Sequence, residues 1–287
     1  MVYYKKLIIV IGILLFAFKS FAQVEVPKCG ADKINIEEQR NKIKNNNIRQ
    51  KIKLENMIRG DAMTMEKERT EVISYDNLGR TTEWAYYKNN KQVKAIYRYS
   101  YDPRGNISEL TLFSDIGEVL EKTVYGYDNS GYLSQETFFE AGNTFVSRTD
   151  FETDVDARTV TETEHDVNNS PVAKTIYYYS DLDKGDLTKK EVYKQGNMYY
   201  SVEFIYSTSG EIEREDFFSA PRELAYQFMY KHNEKGNSTE KIKYSPDRVV
   251  LQRFTNYYTK SGLEKGITEY DRQGRNISSI QYEYKNF

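Results

Sequence analysis

A tyrosine-aspartate turn signal recurs along this 287-residue chain at a nearly constant interval, and that interval limits what the chain can fold into. It reads Tyr75-Asp76-Asn77-Leu78-Gly79-Arg80, then Tyr101-Asp102-Pro103-Arg104-Gly105-Asn106, then Tyr127-Asp128-Asn129-Ser130-Gly131, and late in the chain Tyr270-Asp271-Arg272-Gln273-Gly274-Arg275. Looser copies lie between, at Thr153-Asp154-Val155-Asp156-Ala157, Tyr206-Ser207-Thr208-Ser209-Gly210, His232-Asn233-Glu234-Lys235-Gly236 and Tyr258-Thr259-Lys260-Ser261-Gly262. The Gly or Ala positions 79, 105, 131, 157, 185, 210, 236 and 262 are separated by 26, 26, 26, 28, 25, 26 and 26 residues. A second turn falls midway in each unit, as at Lys88-Asn89-Asn90-Lys91 and Ser114-Asp115-Ile116-Gly117. Asp, Asn and Ser start such turns by bonding their own backbone, and Gly supplies the positive φ.

Between turns the residues alternate with a period of two. Tyr97, Tyr99 and Tyr101 point one way, while Arg98, Ser100 and Asp102 point the other. Tyr226, Phe228, Tyr230 and His232 alternate in the same way with Gln227, Met229 and Lys231. Aromatic and β-branched residues with this period form half-buried strands, so each unit is one β-hairpin and about 17 strands run from near Glu66 onward. Composition agrees: Tyr outnumbers Leu by 26 to 14, which argues against Leu-rich helical cores and against disorder. Laid flat, so many strands would extend roughly 80 Å, and sheets rarely pass about ten strands without curling. The expectation is an all-β fold, an elongated, twisted or coiled antiparallel meander of stacked 26-residue hairpin repeats with a short N-terminal helix. Cross-strand aromatic pairs supply its packing.

The N-terminus reads differently. Lys5 and Lys6 precede an apolar stretch, Leu7 to Phe18, and Ser20-Phe21-Ala22 sets small residues before Gln23. That pattern predicts a secretory signal over residues 1–22, cut after Ala22, because its apolar run falls short of a membrane span. Lys28 is the wrong residue before Cys29 for a lipid-attachment site. Residues 23–65 are expected to be a linker and a basic helix, and residues 66–287 the repeat domain. Within 33–59, Ile36, Ile43, Ile48, Ile52 and Ile58 are spaced loosely like a helix among eight bases and three acids, which predicts a helix covering the first sheet edge. A basic helix lying on a membrane surface is the alternative.

The Tyr-Asp-x-x-Gly-Arg turns resemble the YD repeats of the Rhs/teneurin-type proteins, over about 210 residues from Tyr75. Four copies carry Tyr-Asp literally, and Arg follows the Gly only at Arg80 and Arg275. In large members of that family the repeats wind into a hollow shell, often around a C-terminal toxin, and carbohydrate binding is attributed to some. The resemblance implies repeat geometry and export. The chain is too short for such a closed shell, and its last segment, Ile277 to Phe287, reads as a repeat strand rather than a toxin.

Chemistry is sparse. Two His and one Cys give nucleophilic dyads little to work with, and no phosphate-cradling Gly loop appears. Asp181-Leu182-Asp183-Lys184-Gly185-Asp186 departs from a calcium loop in the position of its Gly and reads as a polar turn. His232 stands in a Tyr slot and reads as a packing substitute. No enzyme, metal or cofactor is expected, and an acidic repeat region with a short basic neck argues against nucleic acid. Trp84, Tyr86, Tyr97, Tyr99, Tyr101 and Tyr127 are the candidate binding residues: an aromatic row that either stacks on sugar rings or covers a thin sheet. The expectation is a secreted, periplasmic or outer-surface protein with a non-catalytic binding or structural role, its partner a glycan or another envelope protein, without a stable membrane span once the signal is removed. The alternative is an immunity or inhibitor protein that binds a secreted toxin.

Overall fold

The structure, a computed structural model, describes residues 26–59, 62–88, 90–219 and 222–287. The signal segment 1–22 and its cut after Ala22 lie outside the described residues. Among the described residues, one α-helix, α1 (Gly30–Asn45), leads into eighteen strands. They are β1 (Ile48–Arg59), β2 (Ala62–Tyr75), β3 (Thr81–Lys88), β4 (Gln92–Tyr101), β5 (Ile107–Ser114) and β6 (Val119–Tyr127). β7 (Leu133–Glu140), β8 (Thr144–Asp154), β9 (Thr159–His165), β10 (Pro171–Tyr179), β11 (Leu187–Lys194) and β12 (Asn197–Tyr206) follow. β13 (Ile212–Ser219), β14 (Glu223–His232), β15 (Ser238–Tyr244), β16 (Val250–Tyr258), β17 (Glu264–Asp271) and β18 (Asn276–Asn286) complete the set.

Each strand pairs antiparallel with its sequence neighbours, and β1 also pairs with β18, from Ile48 opposite Asn286 to Glu55 opposite Ile280. The sheet therefore closes into an 18-stranded barrel. This corrects the expected elongated, twisted or coiled meander. The physical reason is β1. The basic segment expected to be one helix is helix only to Asn45, and from Ile48 it is a strand that alternates Ile52 and Leu54 with Lys51 and Lys53. An odd number of strands cannot close antiparallel in sequence order; the added strand makes the number even.

Turn chemistry sets the strand ends. Asp76 Oδ1 accepts from the backbone N–H groups of Leu78 and Arg80, both at 2.9 Å, while Gly79 N–H donates to Asp76 O at 3.0 Å. Gly79 takes φ +79, the left-handed conformation that this turn with its bulge demands. In the degenerate copy, Arg158 rather than Ala157 occupies that region, at φ 55.

Several tyrosines near strand ends have a second task. The Tyr101 hydroxyl donates to Thr81 O at 2.7 Å, tying the last residue of β4 to the first of β3. Tyr127 to Ile107 O (2.8 Å), Tyr258 to Ser238 O and Tyr284 to Glu264 O (both 2.7 Å) repeat the clamp. The repeat thus closes the open end of its own hairpins.

The two sheet faces differ in curvature as well as chemistry. Ile107, Leu110, Tyr125, Leu133, Phe151, Val160 and Tyr179, from six successive strands, converge with Cys29 and Ala31 in one buried cluster. Side chains from six strands meet at one place only on a concave face, so this face lines the barrel. The register puts Trp84, Tyr97, Leu112, Tyr200, Phe217 and Tyr282 on the same face. The outward face carries Arg98 with Glu83 (3.4 Å), Arg148 with Asp150 (2.9 Å) and Arg214 with Asp216 (3.0 Å).

Burial inside the barrel shows in the phenols. Burial, reinforced by Glu121, pushes Tyr97 up to about 12, and burial, reinforced by Asp186 and Glu215, does the same for Tyr206. Because the fold holds the neutral phenol, this stabilisation is complete below the ordinary value of 10.0 and is lost as pH rises through about 12. The barrel is expected to unfold across that window, with tyrosinate absorbance and loss of strand ellipticity rising together. Full ionisation near pH 10 with the strands intact would contradict the assignment of these rings to the interior.

Candidate functional site

All even-to-odd turns, from β2–β3 to β16–β17, lie at one end of the barrel, because strands alternate direction. α1 crosses that mouth. Near its start, Ala31 N–H donates to Leu182 O in the β10–β11 turn at 3.0 Å, and Leu133 N–H donates to Pro27 O at 2.8 Å. Toward its end, an Arg40 guanidinium N–H donates to Gly105 O in the β4–β5 turn at 3.2 Å. A ring of eighteen strands at about 4.8 Å spacing is roughly 30 Å across, and sixteen helical residues extend about 24 Å. The helix matches the mouth.

Two glycines allow it to seat. A Cβ on Gly30 would fall 2.6 Å from Asp183 Cα, and one on Gly79 would fall 2.2 Å from Arg40 O. The helix thus meets backbone at both rims, with no room for a methyl group.

A cavity of about 410 Å³ lies under α1 on the side of β17, β18 and β1 to β5. Tyr75, Trp84, Tyr99, Tyr101 and Tyr282 supply rings, Ile73, Ile267 and Ile280 supply aliphatic surface, and Gln39 reaches in from the helix. Its charges are organised. Lys53 Nζ is 2.7 Å from Glu71 and 2.6 Å from Glu55, and the Trp84 indole N–H donates to Glu71 Oε2 at 2.9 Å. Burial works against the Lys53 charge, yet its bonds to Glu55 and Glu71 outweigh that and hold its pKa above the ordinary value. Lys51 pairs with Glu264 at 3.1 Å and sits 3.8 Å from the centre of the Tyr282 ring. A second cavity, about 330 Å³, lies on the other side of the helix between Asp32, Asn35, Tyr179 and Tyr206.

The six residues singled out in the sequence all face inward and are half-buried. Trp84, Tyr99 and Tyr101 line the larger cavity. Tyr86 stacks on Trp84 with centroids 5.5 Å apart and meets Tyr97 edge-on at 6.0 Å, so Trp84, Tyr86 and Tyr97 form one aromatic ladder. Tyr127 packs, like Tyr97, Tyr99 and Tyr101, against the buried cluster that includes Cys29, but does not line the larger cavity. Lys51, Lys53, Glu71 and Tyr282 were missed. Tyr282 shares its alternation with Ile280 and Tyr284, a signal open to reading, whereas the lysines sit in the segment read as helix.

Among the described residues, no cluster of His, Cys, Asp or Glu could hold a metal ion, and no helix is long and apolar enough to cross a membrane. Asp181 Oδ1 accepts from the backbone N–H groups of Asp183 (2.9 Å) and Lys184 (3.1 Å), as a turn aspartate does.

No protein-family model matches the chain, and no curated protein is similar to it. Among solved structures it is similar to a porin-like protein from Bacteroides uniformis, with 11% identity and a TM-score of 0.42 over 82% of this chain and 97% of that one. A porin-like protein from Bacteroides vulgatus shows 9% identity and a TM-score of 0.35, over 84% of this chain and 99% of that one. The TcdB2-TccC3 structure shows 13% identity and a TM-score of 0.33 over 79% of this chain, which spans 13% of that one. At these TM-scores the barrel is read from its own strand pairings.

Replacing Gly79 by Ala is expected to destabilise the protein by about 1–3 kcal/mol through the left-handed backbone alone, and to lift Arg40 off the rim. Urea unfolding measures the first effect. Faster proteolysis at Asn45 to Asn47 measures the second, and an unchanged cleavage rate would show that the helix does not depend on this seat.

Proposed function

We propose that this chain is an exported, non-catalytic binding protein that holds a saccharide in the aromatic cavity beneath α1. The observation that carries the reading is the pairing of ring faces with fixed charge in one lidded cavity: Trp84, Tyr99, Tyr101 and Tyr282 beside Lys51, Lys53 and Glu71. Apolar walls with a few convergent polar groups are how small-ligand sites bind and orient their guests. The Trp84 indole is fixed by Glu71, so its ring face is presented rather than mobile. Both lysines are engaged by carboxylates, Lys51 by Glu264 and Lys53 by Glu55 and Glu71, which suits a polyhydroxylated guest that exchanges hydrogen bonds without carrying large charge itself.

The reading places the barrel in water. Lipid-facing walls of membrane barrels are apolar over about 25 Å, whereas Arg98–Glu83, Arg148–Asp150 and Arg214–Asp216 stand on the outward face. The aromatic face points inward, the reverse of a wall in lipid. Export rests on the sequence of residues 1–22, and the YD-type turns are in keeping with it. A membrane-associated fraction released only by detergent would contradict this placement; the expected result is recovery in the aqueous fraction without detergent.

The chain has one Trp, so its fluorescence reports the cavity directly. Screening oligosaccharides is expected to find one that quenches or shifts Trp84 emission saturably. Trp84→Ala or Tyr282→Ala should weaken binding, measured by calorimetry, by about 1–3 kcal/mol, the scale of a lost aromatic contact. If a broad glycan panel leaves Trp84 emission unmoved and calorimetry shows no heat, the binding role fails.

A further inference from the structure

The concave face bears a second aromatic wall, on β13 and β14. Phe217 and Tyr226 stack with centroids 4.4 Å apart and planes 22° apart, and Phe228 meets them edge-on at 5.8 and 5.7 Å. β15 sets two lysines against it, since Lys243 pairs opposite Phe228 and Lys241 opposite Tyr230. Their situations differ. Lys241 lies 4.0 Å from the centre of the Phe228 ring and also pairs with Glu215 at 3.4 Å. Lys243 lies 3.9 Å from the centre of the Tyr226 ring, and among the described residues no carboxylate stands within ion-pair distance of it.

A half-buried lysine whose ammonium meets only ring faces is an incomplete arrangement. Cation–π attraction compensates part of the lost hydration, but a charge-assisted hydrogen bond to an anion is stronger. The neighbouring acid, Glu215, is already engaged by Lys241 and by the Tyr230 hydroxyl at 2.6 Å. The remaining valence of Lys243 therefore points to a ligand. Beside it the stacked Phe217–Tyr226 pair and the edge-on Phe228 give apolar surface for the C–H groups of a sugar.

The geometry points to a subsite for an acidic saccharide on this wall, with the Lys243 ammonium taking the carboxylate of a uronic acid residue and the apolar surface of Phe217, Tyr226 and Phe228 beside it meeting the C–H groups of that sugar. This inference rests on the saccharide-binding reading above and names the class of sugar within it.

The test uses galacturonic acid oligomers and their methyl-esterified, uncharged counterparts, titrated by calorimetry into the mature full-length protein. The acidic oligomer is expected to bind about tenfold or more tighter at low salt, with that margin shrinking as salt is raised. Lys243→Gln should bring the acidic oligomer down to the affinity of the ester and leave the ester unchanged, while Lys243→Arg keeps the preference. Circular dichroism confirms that each variant retains its strands. Equal affinity of wild-type protein for both oligomers, or a preference that survives in Lys243→Gln, overturns the subsite and leaves the saccharide reading standing. Binding of neither oligomer, where other sugars still move Trp84 emission, also overturns the subsite. Silence of every sugar overturns the broader reading instead.

Discussion

Closure by β1 is the constraint on which the rest of this molecule depends. Antiparallel strands joined in sequence order form a ring only when their number is even, and β1 is the strand that pairs with both β2 and β18. Closure removes both sheet edges, which otherwise invite pairing with other chains. It also decides the role of the aromatic face. On an open sheet that face would look onto solvent or a partner; in a ring it becomes the lining of an enclosed space. The helix is placed by the same event, because it leads through Asn46 and Asn47 directly into β1 at the mouth it crosses.

Tyrosine suits this lining because it has two uses. Its ring packs beside neighbouring rings, and its hydroxyl reaches a backbone acceptor on the adjacent strand. Where the hydroxyl is instead directed at a carboxylate, as with Tyr177 to Glu162 at 2.7 Å and Tyr230 to Glu215 at 2.6 Å, the wall gains fixed negative charge beside neutral phenols. A Leu-lined barrel would be a dry container. This one is an amphipathic surface turned inward, with lysines lying over its rings.

Much of the wall was legible in residue order. Gly79 and Asp76 announce a turn, and Tyr97, Tyr99 and Tyr101 announce a shared face, because those signals are local. β1 was not legible. Ile48 and Ile52 are four apart, as on a helix, and Lys51 and Lys53 fall among the bases of that segment. Their partners Glu264 and Glu71 come from other strands, so nothing near them in sequence shows that they point into a cavity. The six aromatic residues were identifiable as one face of the sheet. Whether that face is concave depends on ring closure, which a period of two does not encode. Tyr127 shows the limit, sharing the repeat position of Tyr101 and packing against the same buried cluster, yet not lining the larger cavity.

The β1–β18 seam has a kinetic meaning. Every other pairing joins strands adjacent in sequence, so hairpins can form one after another with short loops. The seam alone joins residues from opposite ends of the described chain, Ile48 to Asn286. Bringing such distant segments together carries a loop-closure entropy on the order of 5 kcal/mol, and it becomes affordable only once the intervening wall has already curved. Assembly is thus naturally ordered, with the hairpins first and the seam last. Until the seam forms, the aromatic lining is a curved open surface with two unpaired edges, and the interval between those steps is when the chain is most exposed to association with its own copies.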